Sequence, residues 1–343
     1  MTDDGKEIHT AERNPGMDRR GFLKRAVIVG LAATVGSIPE GEERFPLTSD
    51  PIDVQIREFE QKHNKLENLN DRQLRNQYAW MLSVWFNDKT SGVFVDESDP
   101  YAVATKIYTS THYVENEDDP NFKDHEHDAG WAYRQEEIYL NLTSRQFNEQ
   151  SVETKGGATL PILVLFRDTL SHEIIHFMAI PREEAESFNL IRELNPGYQN
   201  YANTEIAGFA AYFVTNPNNP ESEFKTFFSD FDEASTEFIA NYYQRTSAFV
   251  VGPPSYDNPD RPGIEKAINL LEATLKIADI SVEDFAKLHA HSDLDGLATA
   301  LADVTTHQFN NNTDKIRYGL SIIVAMEKGD RKTLGQYFQE TKS

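Results

Sequence analysis

The sequence contains no cysteine. This excludes disulfide staples, thiolate nucleophiles and Cys-ligated zinc or iron–sulfur centres, so any tightly held metal must be bound by His, Asp and Glu. It also lacks a run of about 18 apolar residues, and the body of the protein is not expected to span a bilayer. Positive charge is scarce: 33 Lys and Arg stand against 56 Asp and Glu, a formal charge of −23. Such a surface repels a phosphate backbone or an anionic lipid face, so nucleic acid is not an expected partner. What is present is core-forming material. A hydrophobic share of 39%, with 21 Phe and 14 Tyr in 343 residues, argues for a folded chain of roughly two domain-sized units rather than a disordered one.

The longest apolar stretch, Ala26 to Ile38, follows the basic cluster Arg19, Arg20, Lys24 and Arg25. That is the order of a signal: a charged segment, then an apolar one too short for a stable span. Pro39 and the polar Glu40-Gly41-Glu42-Glu43 run end it. The order Asp18-Arg19-Arg20-Gly21-Phe22-Leu23-Lys24 resembles a twin-arginine signal, which implies export of the folded protein by the twin-arginine translocase. Residues 1–37 are therefore expected to be a signal peptide and 38–51 a linker, with the mature protein exported to the periplasm, cell envelope or exterior. Met17 is an alternative start.

In the body of the chain, apolar positions from Ile52 to Trp85 recur at helical intervals and break near Asn68 to Asp71, predicting two helices. Between Gly92 and Phe147 the texture predicts a small sheet from Gly92–Val95, Val103–Tyr108 and Glu137–Leu142. The cluster His125-Glu126-His127-Asp128 within that region reads as a solvated loop. Pro161 and Pro181 bracket an apolar segment expected to be one buried helix. The stretch Ala185 to Val214 reads as a helix, an Asn195-Pro196-Gly197 turn and a second apolar helix through Ala207 and Ala211. Further helices are expected over Asp230 to Arg245 and beyond Arg261, with Ser281 as an N-cap. The expected class is α+β: helices plus a small mixed sheet over 52–181, then a mainly helical part over 182–343.

The chemistry concentrates in His172-Glu173-Ile174-Ile175-His176. Four residues on a helix turn about 400°, so both imidazoles project from one face and reach a single ion, while Glu173 lies beside them. This is the H-E-x-x-H arrangement of zinc hydrolases, in which the Glu takes a proton from the attacking water. The surrounding helix is apolar almost all round, so two His and a Glu within it need partners.

The third ligand separates the families. Arg182 stands where the metzincin pattern requires His. The run Asp232-Glu233-Ala234-Ser235-Thr236-Glu237 on a later helix resembles the gluzincin signature, with Asp232 replacing the usual Asn and a longer insertion after His176 than in thermolysin-like enzymes. The resemblance implies a zincin-like fold, Zn2+ held by His172, His176 and Glu233, and Glu237 orienting one of the imidazoles. It implies a zinc metallopeptidase, with Glu173 as general base and a peptide or protein as substrate. Glu183, Glu184, Glu186, Glu193 and Glu205 remain rival ligands, Glu205 first among them. For the donor that stabilises the oxyanion, the candidates are Tyr256, Tyr242, Tyr243, Arg261, His289 and His291, with Tyr256 ranked first. The strand Glu137–Leu142 is the expected edge for an extended peptide. A zinc hydrolase of a non-peptide bond and a binding protein with an architectural zinc site are the alternatives.

Overall fold

Two N-terminal helices form where the periodicity predicts them. In the computed structural model, which describes residues 45, 47–63, 69–94, 101–122, 125, 128–133, 135–144, 147, 151–153, 159–216, 224–249 and 262–339, they are α1 (Ile52–Lys62) and α2 (Arg72–Lys89). Asp71 starts α2 by accepting from the backbone N–H groups of Gln73 and Leu74, which have no partners inside the helix. The signal and most of the linker lie outside the described residues.

The next segment departs from expectation. Val103–Tyr108 is not a strand but most of helix α3 (Ala102–Thr109), and Gly92–Phe94 is a turn. The β-branched residues favoured a strand, yet Val103, Ala104 and Ile107 are the buried set, at the i, i+1, i+4 spacing of a helix face. Ala104 packs with Trp80 and Val84 of α2, and the Tyr108 ring meets Trp80 edge-on at 5.6 Å. Packing on α2 thus decides against local β preference.

A three-stranded sheet follows, built from β1 (Thr111–Val114), β2 (Gly130–Tyr133) and β3 (Glu137–Asn141) in the order β1-β3-β2. β1 runs parallel to β3, and β2 antiparallel. The expected edge strand is therefore the central one: β3 pairs on both sides, and β2 is the edge beside the next helix. A short ribbon of β4 (Ser151–Glu153) and β5 (Thr159–Pro161) leads into α4 (Ile162–Met178). Pro161 is the N-cap of α4, and nearly every side chain of this helix is buried.

The second half is not purely helical. After α5 (Ser187–Leu194), the predicted apolar helix through Ala207 and Ala211 is instead a hairpin of β6 (Ala202–Ala207) and β7 (Ala210–Val214), and β8 (Phe224–Phe227) completes a sheet in the order β6-β7-β8. Every side chain of β7 is buried, which removes the alternation that marks a strand in sequence. The chain then forms α6 (Ser229–Thr246), α7 (Pro262–Ile277), α8 (Val282–Ala290), α9 (Leu294–Asp303), α10 (Asn312–Glu327) and α11 (Arg331–Gln339). Ser281 caps α8 as expected, accepting from the N–H of Asp284. The class is mixed α+β and mostly helical, with eleven α-helices and two three-stranded sheets among the described residues.

One core connects the halves, and it contains a buried charge. Arg167 on α4 is fully enclosed; it donates to Glu60 of α1 and to Gln244 of α6, and its guanidinium lies over the Phe249 ring at 4.6 Å. Glu60 also accepts from the Tyr78 hydroxyl of α2. Removing one partner of a buried ion pair leaves the other charge desolvated, which typically costs about 3–5 kcal/mol. Because Asp168 remains 3.5 Å from Arg167, Glu60→Ala is expected at the lower end of that range, about 3 kcal/mol, read as a shift of the urea midpoint at unchanged slope. Glu60→Gln, which keeps an acceptor, should cost less.

Candidate metal centre

Helices α4 and α6 pack against each other, and the polar residues at their contact are those singled out by motif. His172, Glu173 and His176 are buried on α4, at 5%, 7% and 9% exposure. α6 leaves β8 through Phe228, a buried residue in the left-handed conformation (φ 66°) that is unusual for a bulky side chain. With no side-chain cap from Phe228, the carboxylate of Glu327 on α10 accepts from the N–H groups of Asp230 and Phe231. This sharp entry fixes the rotation of α6, so that Glu233 and Glu237, one turn apart, both face α4.

The distances define a single focus. His172 Nε2 lies 3.1 Å from His176 Nε2 and 3.2 Å from Glu233 Oε2, and His176 Nε2 lies 3.5 Å from the same oxygen. A tetrahedral ion with bonds of about 2.0–2.1 Å would hold its ligands ~3.3 Å apart. The three atoms therefore have the spacing of one face of such a coordination shell. They are a group that can hold a metal ion.

Each imidazole is backed by an acid on its other nitrogen. His172 Nδ1 lies 3.2 Å from Glu237 Oε2, and Glu237 Oε1 accepts from Asn241 one turn further along α6 at 2.9 Å. His176 Nδ1 faces Asp232 Oδ2 at 3.7 Å. An acid on Nδ1 holds the proton there and leaves the Nε2 lone pair for a metal. Sequence reasoning pointed to Glu237 but gave Asp232 no role beyond replacing the usual Asn; its place one residue before Glu233 was the available signal.

The electrostatics of this cluster follow from burial and crowded charge. Burial pushes the Glu173 carboxyl up to about 8, with Glu233 and Asp128 adding to the rise and His172 opposing it. For His172 burial works downward, but Glu233, Glu237 and Glu173 outweigh it and raise the imidazole to about 10. For His176 burial prevails over Glu233 and Asp232, and its pKa falls. Two imidazoles 3.1 Å apart thus shift in opposite directions, His172 upward through its carboxylate neighbours and His176 downward through burial.

Strand β2 passes close to this helix. A Cβ at Gly130 would lie 2.9 Å from Thr169 Cγ2 and 3.0 Å from Glu173 Cγ, so only glycine lets the edge strand approach Glu173 at that height. The loop before it carries His125, stacked on Trp131 with centroids 4.1 Å apart and bonded through Nδ1 to Asp128 at 2.9 Å. Glu126 and His127 lie outside the described residues.

The remaining candidates are placed elsewhere. Glu205 is on strand β6, opposite Tyr212, and not on a helix. Glu186 is bonded to Thr313 and Glu193 to Arg317, while Glu183 and Glu184 are exposed. None of the five belongs to the donor group around His172. Of the expected oxyanion donors, Tyr242 donates its hydroxyl to Glu283, Tyr243 is buried, and His291 is exposed. His289 is fully buried and bonded to Asp232, behind His176 rather than beside the three donors. Tyr256 and Arg261 lie outside the described residues.

No family model, curated protein or solved structure matches this chain. The site must therefore be read from its own geometry. A direct donor and the residue that orients it differ in what their removal costs. In a titration with a divalent metal ion, Glu233→Ala is expected to abolish stable binding, whereas Glu237→Ala should weaken it by roughly 10–100-fold. If Glu237→Ala proved the more severe, the two roles would exchange.

Proposed function

We propose that the protein is a zinc-dependent peptidase of gluzincin type. The observation that carries this reading is the three-donor face of His172, His176 and Glu233, at separations of 3.1, 3.2 and 3.5 Å, with Glu173 on the same helix. Two imidazoles and one carboxylate are a donor set of catalytic zinc sites, which keep a fourth position open. A zinc ion there would supply Lewis acidity, activating water near neutral pH and polarising a carbonyl.

The rest of the chemistry belongs to the side chains. Glu173, next to His172 on the same helix, would take a proton from water and return it to a leaving amine. Glu237 holds the His172 proton on Nδ1, and Asp232 Oδ2 faces His176 Nδ1 at 3.7 Å. The edge strand β2 is paired on one side only, antiparallel to β3, and passes close to Glu173 at Gly130. An unpaired strand edge is a surface on which an extended peptide can add as a further strand, and on this reading it is the proposed substrate-binding edge.

On this reading the oxyanion donor is supplied by a group not among the described candidates, and Tyr256 retains that proposed role. Zinc is the proposed metal. We also propose that the mature protein acts after export through the twin-arginine route, on the strength of the order from Asp18 to Lys24. The test of activity is direct. Purified protein incubated with a mixed peptide library should cleave internal or terminal bonds, lose that activity to a zinc chelator and regain it with added zinc. An intact library after zinc addition would remove the peptidase reading and leave hydrolysis of another bond, or a structural metal, to be tried.

A further inference from the structure

Behind the donor face lies a second imidazole that the proposed chemistry does not use. His289, near the C-terminal end of α8, is fully buried. Its Nε2 sits 3.0 Å from Asp232 Oδ1 and 3.3 Å from the Thr236 hydroxyl, while the Phe209 ring meets it edge-on at 5.1 Å. Asp232 Oδ1 also accepts the Phe209 backbone N–H at 2.6 Å. The other carboxylate oxygen faces His176 Nδ1 at 3.7 Å. Asp232 thus stands between two imidazoles, held by two donors on one oxygen and turned toward His176 with the other.

The tautomers follow from partners. A carboxylate only accepts, so the proton of a neutral His289 belongs on Nε2. Its Nδ1 is buried without a hydrogen-bond partner, and a lone pair there is less costly than an unpaired N–H. The space is also reserved at the backbone. Gly208 begins the hairpin turn at φ +59°, and a Cβ there would fall 2.1 Å from Asp232 Oδ1 and 2.7 Å from His289 Nε2. Hairpin, α6 and α8 therefore converge on one carboxylate.

We infer that His289 is a positioning residue for the metal centre: by fixing Asp232 through Nε2–H, it sets the orientation of the ligand His176. The chain His289–Asp232–His176 parallels Asn241–Glu237–His172 on the other side of the donor face. It makes the C-terminal helical region part of the site, through a residue 56 positions beyond Glu233 in sequence (289 − 233). The inference rests on the metal reading of this same site.

The test compares substitutions that keep the volume of the ring but differ in donor. Zinc affinity is measured by chelator competition on wild type, His172→Ala, His289→Gln and His289→Met, with the visible spectrum of the cobalt(II)-loaded proteins as a second readout. His289→Met should weaken zinc roughly tenfold and shift the cobalt bands, in line with the cost of losing partners beyond the ligands. His289→Gln, whose amide nitrogen can donate to Asp232, should return to within about threefold of wild type. Gly208→Ala, which displaces the same carboxylate, should weaken zinc as well. Equal affinities for wild type and His289→Met would overturn the inference while leaving the metal site intact, and equal weakening by Gln and Met would reduce His289 to packing. Failure of the wild type itself to bind zinc, indistinguishable from His172→Ala, would instead remove the metal reading on which all of this rests.

Discussion

Purified wild-type protein should carry about one zinc per chain, and His172→Ala or His176→Ala should carry essentially none. The expectation follows from how few donors converge: two imidazoles and one carboxylate within 4.8 Å. Each supplies one of three protein bonds, so losing any one leaves a two-ligand site that cannot compete with water and buffer. Elemental analysis after dialysis reads the result. Either substitution also takes a partner from a buried carboxylate, Glu237 beside His172 or Asp232 beside His176, so some loss of stability is expected and circular dichroism checks that the variants remain folded. Full zinc retention in both variants would sink the proposed centre.

The second large effect concerns turnover rather than binding. Glu173→Gln should keep zinc affinity within a few-fold of wild type while lowering kcat by roughly 10²–10⁴-fold, the usual contribution of a positioned general base. The amide has nearly the same shape as the carboxylate, so the approach of β2 at Gly130 is preserved. What it cannot do is accept a proton. Activity measured with a peptide found in the library digest, at saturating zinc, isolates this step. Unchanged turnover in Glu173→Gln would remove Glu173 from the role of general base.

Much of the donor set could be read before the fold. The His172 to His176 spacing carries its own geometry, since a helix was independently required between Pro161 and Pro181, and the four-residue offset then places both rings together. Glu233 and Glu237 were legible for the same reason: α6 was predictable and the offset recurs. Asp232 could have been read from its place beside Glu233, but the positions of Gly130 and His289 were not legible, because they depend on which elements meet in three dimensions. The hairpin of β6 and β7 shows why local pattern failed elsewhere. Ala207, Ala210 and Ala211 suit a helix, and a strand buried on both faces shows no alternation. Gly208 was the one available warning, a turn residue inside an apparent helix. Likewise Val103 to Tyr108 carries β-forming side chains, and only contact with Trp80 and Val84 explains why it is helical. The central place of β3 could not be foreseen, since strand order is not written in any single strand.

The two donor helices are separated by a whole sheet in the chain, and this sets an order of events during synthesis. When α4 has left the ribosome, His172 and His176 are already together, but they form only an open two-nitrogen site with weak hold on a metal. Nothing completes it until β6 to β8 have paired and α6 has docked, and α8, carrying His289, emerges later still. Such long-range contacts form slowly compared with a helix. On the proposed metal reading, metal capture would be a late step that waits for α6 to dock, and a chain truncated before residue 233 would lack the third donor.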